Sequence, residues 1–414
     1  MKKDINIKAA ILYWIKLGFI SFGGPTGQIS LMHEELVERR KWVSDKNFLH
    51  ALNYTMLLPG PEAQQLATYL GWLLHGRLGG IIAGTFFILP SFFILILLSY
   101  LYINYSNHYM AEGILYGIRA GVIAIIFVAT IKIAKKVLYK YYFWLVAIGA
   151  LYCINFLELK YPLIILMAGL IGVVVQILKS KTMFQIKITP ILMSSLKTII
   201  FGIMLWAIGI YIIYSFNNKE LLDLSLFFSK ASVVTFGGAY SVLPYVYQNA
   251  IESYGWLTHQ QMMDGLALGE STPGPLIMIV TFVGFLVGWL SNISDGSSMI
   301  AVAILFAFAA TFFTFLASFV FIFAGAPLIE HTKKSSSLDL PLKFITSAVV
   351  GMILNLGIFL TYKTIFLDDS SGEVDLYLII LIFLSFLALE KGKVGMIPLL
   401  ITAGLTGMMV KMYF

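Results

Sequence analysis

Cysteine and charge are both scarce in this sequence. Its 414 residues include a single cysteine, Cys153, which excludes a disulfide bond within the chain and a metal site built from several cysteines. Only 12% of the residues are charged, whereas 59% are hydrophobic and the mean hydropathy is +0.88. A soluble protein of this size needs a charged surface. The composition therefore predicts a polytopic membrane protein embedded in a lipid bilayer.

Long polar regions are also missing, which leaves no room for a soluble domain. The net charge of +7 comes from short Lys and Arg clusters between apolar stretches, a pattern typical of membrane topology signals rather than of nucleic-acid binding. The N-terminus resembles a signal peptide, but Lys16 interrupts its apolar core and no small-residue cleavage pattern accompanies it. We therefore expect a retained first segment and no nucleic-acid partner.

Apolar segments fill most of the chain. Most are about 17–28 residues long, enough to cross a hydrocarbon core as a helix. They lie at 9–30, 47–76, 79–103, 112–131, 141–157, 161–178, 196–216, 222–243, 260–290, 299–326, 342–362, 375–389 and 394–413.

The chain repeats itself at a constant offset of 214 residues. KLGFISFGG at 16–24 matches KASVVTFGG at 230–238. Two further matches keep this register without a gap, namely RKWVS with YGWLT (40–44 and 254–258) and LLPGP with STPGP (57–61 and 271–275). We therefore predict two homologous halves of six segments each, 1–195 and 217–414, joined by a linker helix at 196–216.

One extra crossing between two equivalent halves inverts the second half. The distribution of basic residues agrees, because 31–46 carries four Lys and Arg residues whereas its repeat mate 240–260 carries none. Five basic clusters are expected on the cytoplasmic side and two links without Lys or Arg outside. The clusters are MKKDINIK at 1–8, 132–140, 179–187, 333–343 and 391–393, and the links are 104–111 and 290–298.

Glycine and proline interrupt each half twice. The breaks are FGGP at 22–25 and PGP at 59–61 in the first half, and FGG at 236–238 and PGP at 273–275 in the second. In a helix interior Gly costs about 1 kcal/mol and Pro about 3 kcal/mol relative to Ala. Basic residues flank 9–30 and 47–76 on both sides, so we expect both segments to be re-entrant hairpins with the breaks at their tips. Two full crossings are the alternative.

A broken helix in a membrane can hold an anion. The free N–H groups and positive dipole at the N-terminus of a half-helix attract negative charge without a basic side chain. Four such ends converging near the midplane would form a site for a compact, multiply charged oxyanion. The residues expected to bind it are Ser21, Gly23, Gly24, Pro25, Gln28, Pro59, Gly60, Pro61, Gln64, Gln65, Gly237, Gly238, Thr272, Pro273, Gly274 and Pro275.

Charged residues inside the apolar segments are further candidates. Lys16 and Lys230 occupy equivalent positions in the two halves, and we expect them to compensate the charge of the substrate; the alternative is that each snorkels to the interface. Glu62, Glu270 and Arg119 are candidates for proton coupling. Favourable placement near a helix dipole is the alternative for Glu62, and structural pairing with a carboxylate is the alternative for Arg119.

Several of these stretches together resemble a known family. They are FGGP with Gln28, the run LLPGPEAQQLATYLGWLLHGRLGGIIAGTFFILPS (57–91), FGGAYSVLP (236–244) and STPGPLIMIVTFVGFLVG (271–288). In them the sequence resembles the chromate ion transporter family, in its long-chain, two-domain form. The resemblance implies antiparallel halves. It also implies an antiporter that exports chromate, a sulfate-like dianion, across the cytoplasmic membrane on the proton gradient and so confers chromate resistance.

Alternatives to this function remain at the level of the sequence. FGGAY replaces FGGP in the second half, so the two halves do not offer equivalent sites. An uncoupled oxyanion channel and a transporter of sulfate or another anion both fit the same motifs. A membrane-embedded enzyme is disfavoured, since no His/Glu metal motif, nucleophile elbow or phosphate-binding loop is found. We expect no metal and no cofactor, and a homodimer is left open.

Overall fold

The computed structural model describes residues 5–56, 58–179, 190–234, 236, 239–291, 299–331, 339–366, 374–392 and 394–413. The expected site residues Gly237 and Gly238 lie outside these ranges, as do parts of the expected links around 180–189, 292–298 and 332–338. Sixteen α-helices run through the described residues. They are α1 (Ile7–Ile20), α2 (Gly24–His33), α3 (Asp45–Thr55), α4 (Glu62–Tyr105), α5 (Tyr109–Val137), α6 (Tyr141–Asn155), α7 (Tyr161–Lys179), α8 (Pro190–Ser215), α9 (Lys219–Val234), α10 (Leu243–Gln248), α11 (His259–Ser271), α12 (Ile279–Leu290), α13 (Met299–His331), α14 (Asp339–Ile365), α15 (Leu376–Glu390) and α16 (Met396–Tyr413).

Seven of the helices in the described ranges are long and apolar enough to cross a membrane, namely α4, α5, α7, α8, α13, α14 and α16. The helix α8 joins the two halves, and only 11% of its apolar window is buried against the rest of the protein. Such a helix needs lipid around it. The prediction of a multi-pass membrane protein with a linker helix is therefore confirmed.

The internal repeat is visible in local backbone structure. A π-helical turn follows α2 at Glu34–Arg39, and another follows α10 at Asn249–Ser253. The next helix in each half then begins at an equivalent N-cap, whose hydroxyl accepts the backbone N–H three residues further on. Ser44 caps α3 in this way, and Thr258 caps α11. The caps are 214 residues apart, as the sequence register predicts.

The corner between the π-helical turn and the cap is equally well matched. Trp42 and Trp256 each donate the backbone N–H group to the carbonyl oxygen six residues earlier, at 2.8 Å in both halves. The residue before each tryptophan has a left-handed backbone, with φ of 53° at Lys41 and 62° at Gly255. Two unrelated segments would not share this set of bonds and torsion angles.

The helix α4 consists of two antiparallel limbs, 62–74 and 77–105. His75 and Gly76 leave the helical conformation between the limbs, and only glycine readily adopts the backbone of Gly76, with φ 64° and ψ −154°. The limbs approach so closely that a Cβ atom on Gly71 would overlap the backbone of Gly79. The second limb is the full-length crossing.

Repeat mates run in opposite directions. The second limb of α4 corresponds to α13, because each follows the half-helix after a PGP break. Gly80 lies against Phe323, and further along the limb Phe92 contacts Phe308 with ring centroids 6.5 Å apart. Numbers rise in one helix while they fall in the other, so the mates are antiparallel. Packing is also reciprocal, since α5 packs against α15 and α16 whereas its mate α14 packs against α6 and α7.

Both segments of the first half form hairpins. After α2 the chain returns beside α1, where the Arg40 guanidinium lies over the Tyr13 ring at 5.2 Å. The α3 helix and the first limb of α4 form the second hairpin, with the rings of Tyr54 and Tyr69 5.6 Å apart. His75 at the end of this hairpin bonds the carbonyl oxygen of Ile5 just before α1, at 2.8 Å. Both hairpins therefore start and finish at one end of the molecule, as the re-entrant interpretation predicts.

The inverted repeat predicts opposite labelling of equivalent positions. Lys46 and Gln260 are exposed mates in the first turns of α3 and α11. In a Cys153→Ser background, we expect Lys46→Cys to react with a membrane-impermeant maleimide only in inside-out vesicles and Gln260→Cys only in intact cells. Reaction of both cysteines from the same side would contradict the inversion.

Candidate functional site

The two halves meet at their helix breaks. The backbone N–H of Gly274, in the second PGP motif, donates to the carbonyl oxygen of Ser21 at 2.8 Å. The side-chain amide of Gln28 in α2 donates to the carbonyl oxygens of both residues, at 3.2 Å to Ser21 and 2.5 Å to Gly274. Ser21 is fully buried and Gln28 is 1% exposed. The break before α2 and the break after α11 are therefore one structural unit.

Glycine backbones shape these breaks. Gly23 and Gly24 have φ of 88° and 68°, and α2 begins at Gly24 with Pro25 in its first turn. Gly60 and Gly274 occupy equivalent positions in the two PGP motifs, with φ of 126° and 97°. Gly23 is exposed and Gly24 half-buried, so the N-terminus of α2 is open, whereas both PGP motifs are buried, including Pro59, Pro61, Pro273 and Pro275.

Two serine residues pack directly on the PGP glycines. A Cβ atom on Gly60 would lie 2.5 Å from the Ser318 hydroxyl of α13, and a Cβ atom on Gly274 would lie 2.8 Å from Cβ of Ser91. Ser91 belongs to the second limb of α4, whose antiparallel register with the first limb brings it level with Pro61. Ser91 therefore lies against the second PGP break, on a limb that packs beside the half-helix after the first.

Buried polar atoms without partners surround the breaks. Hydroxyl or amide oxygens of six residues lack a hydrogen bond within the described part of the chain, and so does one carboxylate oxygen; we name these seven residues the break cluster. They are Gln28, Gln64, Gln65, Ser91, Tyr240, Glu270 and Ser318. Buried polar groups are almost always paired, and an unpaired one costs about 1–3 kcal/mol. Seven at the junction of the halves indicate a site for a polar ligand or for water.

The glutamine side chains of this cluster are held by hydrogen bonds from their NH₂ groups, which leave their amide oxygens unpartnered. Gln65 donates to the carbonyl oxygen of Pro59 at 2.6 Å, and Gln64 donates to the Thr68 hydroxyl at 3.0 Å. A glutamine can present either its oxygen or its NH₂ group by rotating the last bond. Thr272 is buried beside the cluster, but its hydroxyl is used by the carbonyl oxygen of Gly269. The cluster thus combines three hydroxyl groups that can donate with three amide oxygens and one carboxyl oxygen that accept.

Lys16 and Lys230 do not reach the cluster. Both side chains are exposed. Lys16 lines a small cavity of about 80 Å³ with Glu34, Glu35 and Arg39. Lys230 lines a cavity of about 710 Å³ near the loop between α6 and α7. Neither cavity is lined by a residue of the break cluster, and charge compensation by Lys16 and Lys230 stays a prediction, with snorkelling as its alternative.

Arg119 is paired across the halves. Its guanidinium binds the Asp264 carboxylate of α11 through two bonds, of 2.6 and 2.9 Å, and the Tyr102 hydroxyl donates to the same carboxylate at 3.0 Å. Asp264 is fully buried and the Arg119 side chain is 13% exposed. The structural-pairing alternative for Arg119 describes this geometry. Sequence reasoning missed Tyr102 and set Asp264 aside, although a carboxylate in an apolar run was a usable signal.

Glu62 and Glu270 occupy different surroundings. Glu62 is half-buried in the first turn of α4, within electrostatic range of the Lys136 ammonium group. Lys136 itself reaches the break region, with Nζ 3.6 Å from the Met56 sulfur atom. Glu270 lies at the end of α11, is 7% exposed, and belongs to the break cluster. Of the proton-coupling candidates, it alone has an unpartnered oxygen at the breaks among the described residues.

Inverted halves whose broken helices meet at a buried polar site are the architecture of a secondary transporter. A family model described as chromate transporter matches residues 9–173 and 222–408, which is most of the chain. The protein belongs to the chromate transporter family, a family of transporters and not of enzymes.

Individual relatives agree with this assignment. The chain is 30% identical to a chromate transport protein of Pseudomonas aeruginosa, over 96% of this chain and 91% of that protein. It is 28% identical to a chromate transport protein of Cupriavidus metallidurans, over 87% and 84% respectively. An uncharacterized transporter of Methanocaldococcus jannaschii is 26% identical over 94% of this chain and 92% of its own length. No solved structure matches the chain.

The buried ion pair predicts a specific pattern of stabilities. Arg119→Leu leaves the Asp264 carboxylate buried without its cation, which costs about 3–5 kcal/mol, so we expect a clear loss of thermal stability in detergent. The double variant Arg119→Leu/Asp264→Leu should recover most of that loss, because no charge remains buried.

The control for this experiment is the exposed pair between Lys411 and Glu112, whose atoms are 3.8 Å apart. Lys411→Met should change stability by less than about 1 kcal/mol. An Arg119→Leu variant as stable as Lys411→Met would show that the buried pair does not hold the halves together.

Proposed function

We propose that this protein is a secondary active transporter that exports chromate, or a closely related tetrahedral oxyanion such as sulfate, across the cytoplasmic membrane. Export is coupled to protons and confers resistance to chromate. The relatives named chromate transport proteins support the substrate class. The observation that carries the proposal is the break cluster, a buried set of unpartnered polar atoms where the two halves meet.

The chemistry of the cluster suits a tetrahedral dianion. Such an anion has four oxygen atoms that accept hydrogen bonds and carries no proton of its own, so it needs donors around it. Ser91, Ser318 and Tyr240 offer hydroxyl groups, and the N-terminus of α2 offers backbone N–H groups with a positive dipole. All of these donors are neutral.

A neutral site favours turnover. Transport requires that an ion bind well enough to enter but weakly enough to leave. In the described structure Arg119 is bound to Asp264 and Lys16 and Lys230 are exposed, while the Lys136 ammonium group reaches the break of the first half beside the Met56 sulfur atom. Hydrogen bonds from the break cluster would therefore replace the hydration shell of the dianion, and no fixed counter-ion within the cluster would trap it. The exposed lysines would attract anions to the two entrances.

Alternating access would come from one half moving against the other around the breaks. Lys16 and Lys230 are repeat mates that line cavities of about 80 and 710 Å³, whose linings contain no residue of the break cluster. By the distribution of basic residues the larger cavity faces outward.

The proposal is tested by transport into inverted vesicles. We expect uptake of labelled chromate that saturates, that sulfate reduces by competition, and that changes when a proton gradient is imposed or collapsed. Vesicles without the protein are the control. An ohmic current that ignores the proton gradient would contradict coupling and identify an anion channel. An absence of oxyanion flux in either direction would overturn the substrate class.

The serine residues of α4 allow a sharper test of the site. Ser91→Ala removes an unpartnered hydroxyl from the cluster, so we expect unchanged or slightly higher thermal stability. The variant should bind chromate about tenfold or more weakly, because a hydrogen bond to a charged group contributes about 1.5–3 kcal/mol. The measurement is the KM for chromate uptake beside a melting curve.

Ser99→Ala is the matched control. Ser99 is equally buried and lies two turns further along the same helix, but its hydroxyl already donates to the carbonyl oxygen of Leu95 at 2.6 Å. Its loss should leave the KM for chromate within about twofold of the wild type. Equal effects of the two variants on KM would mean that Ser91 does not contact the substrate.

A further inference from the structure

Glu270 is the one carboxyl group in the break cluster. It lies in the last turn of α11, four residues before Gly274, and is 7% exposed with Oε1 unpartnered. Its repeat mate in the first half is Met56, so the carboxyl group belongs to only one of the two halves. A buried carboxyl group at an anion site calls for an explanation, because an ionised carboxylate can only accept hydrogen bonds.

Tyr240 is the titratable residue that faces Glu270. Its hydroxyl group lies beside the Glu270 carboxyl group without completing a hydrogen bond of ordinary geometry. On its other side Tyr240 faces the start of α2, where a Cβ atom on Gly24 would lie 3.6 Å from the hydroxyl oxygen. Tyr240 therefore connects Glu270 to the helix N-terminus that is expected to bind the anion.

The other elements packed against α11 carry no charge toward Glu270. The turn at 276–278 and the helix α12 have no titratable residue. Several titratable groups on these neighbours are bound elsewhere: Arg119 of α5 and Tyr102 of α4 bind Asp264, Glu112 of α5 pairs with Lys411 of α16, and Tyr116 of α5 binds Asp375. Glu62 of α4 and Lys136 of α5 lie near the PGP break of the first half, and Tyr240 is the titratable group that acts on Glu270.

We infer that Glu270 carries a proton whenever an oxyanion occupies the break cluster, so that anion and proton bind together. This inference rests on the proposed function. An ionised Glu270 would place a third negative charge beside a dianion in a medium of low dielectric constant, where like charges repel strongly. The protonated carboxyl group instead becomes a donor for the anion, as does the hydroxyl group of Tyr240. If the anion binds in its singly protonated form, that proton is shared with the Glu270 carboxylate. The bound complex then again contains one proton.

Because the anion and the proton bind together, they cross the membrane in the same direction. One proton moves in the same direction as each dianion, and the complex carries one net negative charge. A membrane potential that is negative inside drives that charge outward, whereas an acidic exterior opposes the exit of the proton. Export is then driven by the electrical part of the proton-motive force, and not by the proton antiport that the family resemblance implies.

Calorimetry on the purified full-length protein in detergent tests the inference. Sulfate, and chromate at a pH where it is fully ionised, are titrated in buffers of different ionisation enthalpy. We expect uptake of about one proton per anion at a pH where free Glu270 is ionised. In that range the affinity should fall about tenfold for each unit of rising pH.

Two variants separate Glu270 from other carboxylates. Glu270→Gln imitates the protonated form, so it should still bind the anion while proton uptake falls to near zero and the affinity becomes independent of pH. Glu390→Gln is the control, since Glu390 is exposed and pairs with Lys135 at 3.6 Å. It should retain the proton uptake and pH slope of the wild type.

The outcomes distinguish this inference from the proposed function. Anion binding by the wild type without proton uptake, or with proton release, would overturn the inference and leave oxyanion transport standing. A folded Glu270→Gln variant that no longer binds the anion would also overturn it. If the wild type binds neither oxyanion, the proposed function fails and the inference fails with it. The wild-type measurement decides the matter even if Glu270→Gln does not fold.

Discussion

The structure depends on one constraint: a helix that breaks inside a membrane must find partners for its freed backbone groups. Here each half supplies partners to the other. The N–H group of Gly274 binds the carbonyl oxygen of Ser21, and Gln28 bonds both breaks at once. The inverted arrangement serves this requirement, because it brings the break before α2 in the first half against the PGP break of the second half. What remains unpaired after this exchange is the set of polar atoms in the break cluster, and we propose that a substrate completes it.

Charge is distributed so that the cluster stays neutral. Cations within the apolar segments are either exposed, as at Lys16 and Lys230, or neutralised, as at Arg119 by Asp264. Burial of an unpaired ion costs several kcal/mol, so a free lysine at the breaks would destabilise the empty protein. Neutral donors avoid that cost and still offer the dianion hydrogen bonds. Glu270 is the exception, and its value lies in being able to gain or lose one charge.

Two features of the breaks could be predicted from the sequence: the positions that require glycine, and the pairing of these positions between the halves. The sequence predicted the local backbone requirements, since glycine suits the torsion angles at Gly60 and Gly274, and the offset of 214 residues identified the two as mates. It did not predict contacts between distant parts of the chain. Ser318 packs on Gly60 and Tyr240 faces Gly24, yet neither contact follows from spacing along the chain. The exposure of the Lys16 side chain likewise depends on the surroundings of its helix.

The sequence by itself determined the membrane-embedded class, the two inverted halves, the positions of the helix breaks and the family. These properties follow from the composition, from a constant repeat offset and from residues with special backbone preferences, all of which can be recognised without knowing long-range contacts. Only the tertiary structure decided which polar atoms meet at the breaks and which stay unpartnered. It also decided that Arg119 binds Asp264 and that Glu270 shares a site with Tyr240. Those outcomes depend on how antiparallel helices approach one another in space, since a hydrogen bond or ion pair exists only where two distant parts of the chain are brought within about 3 Å.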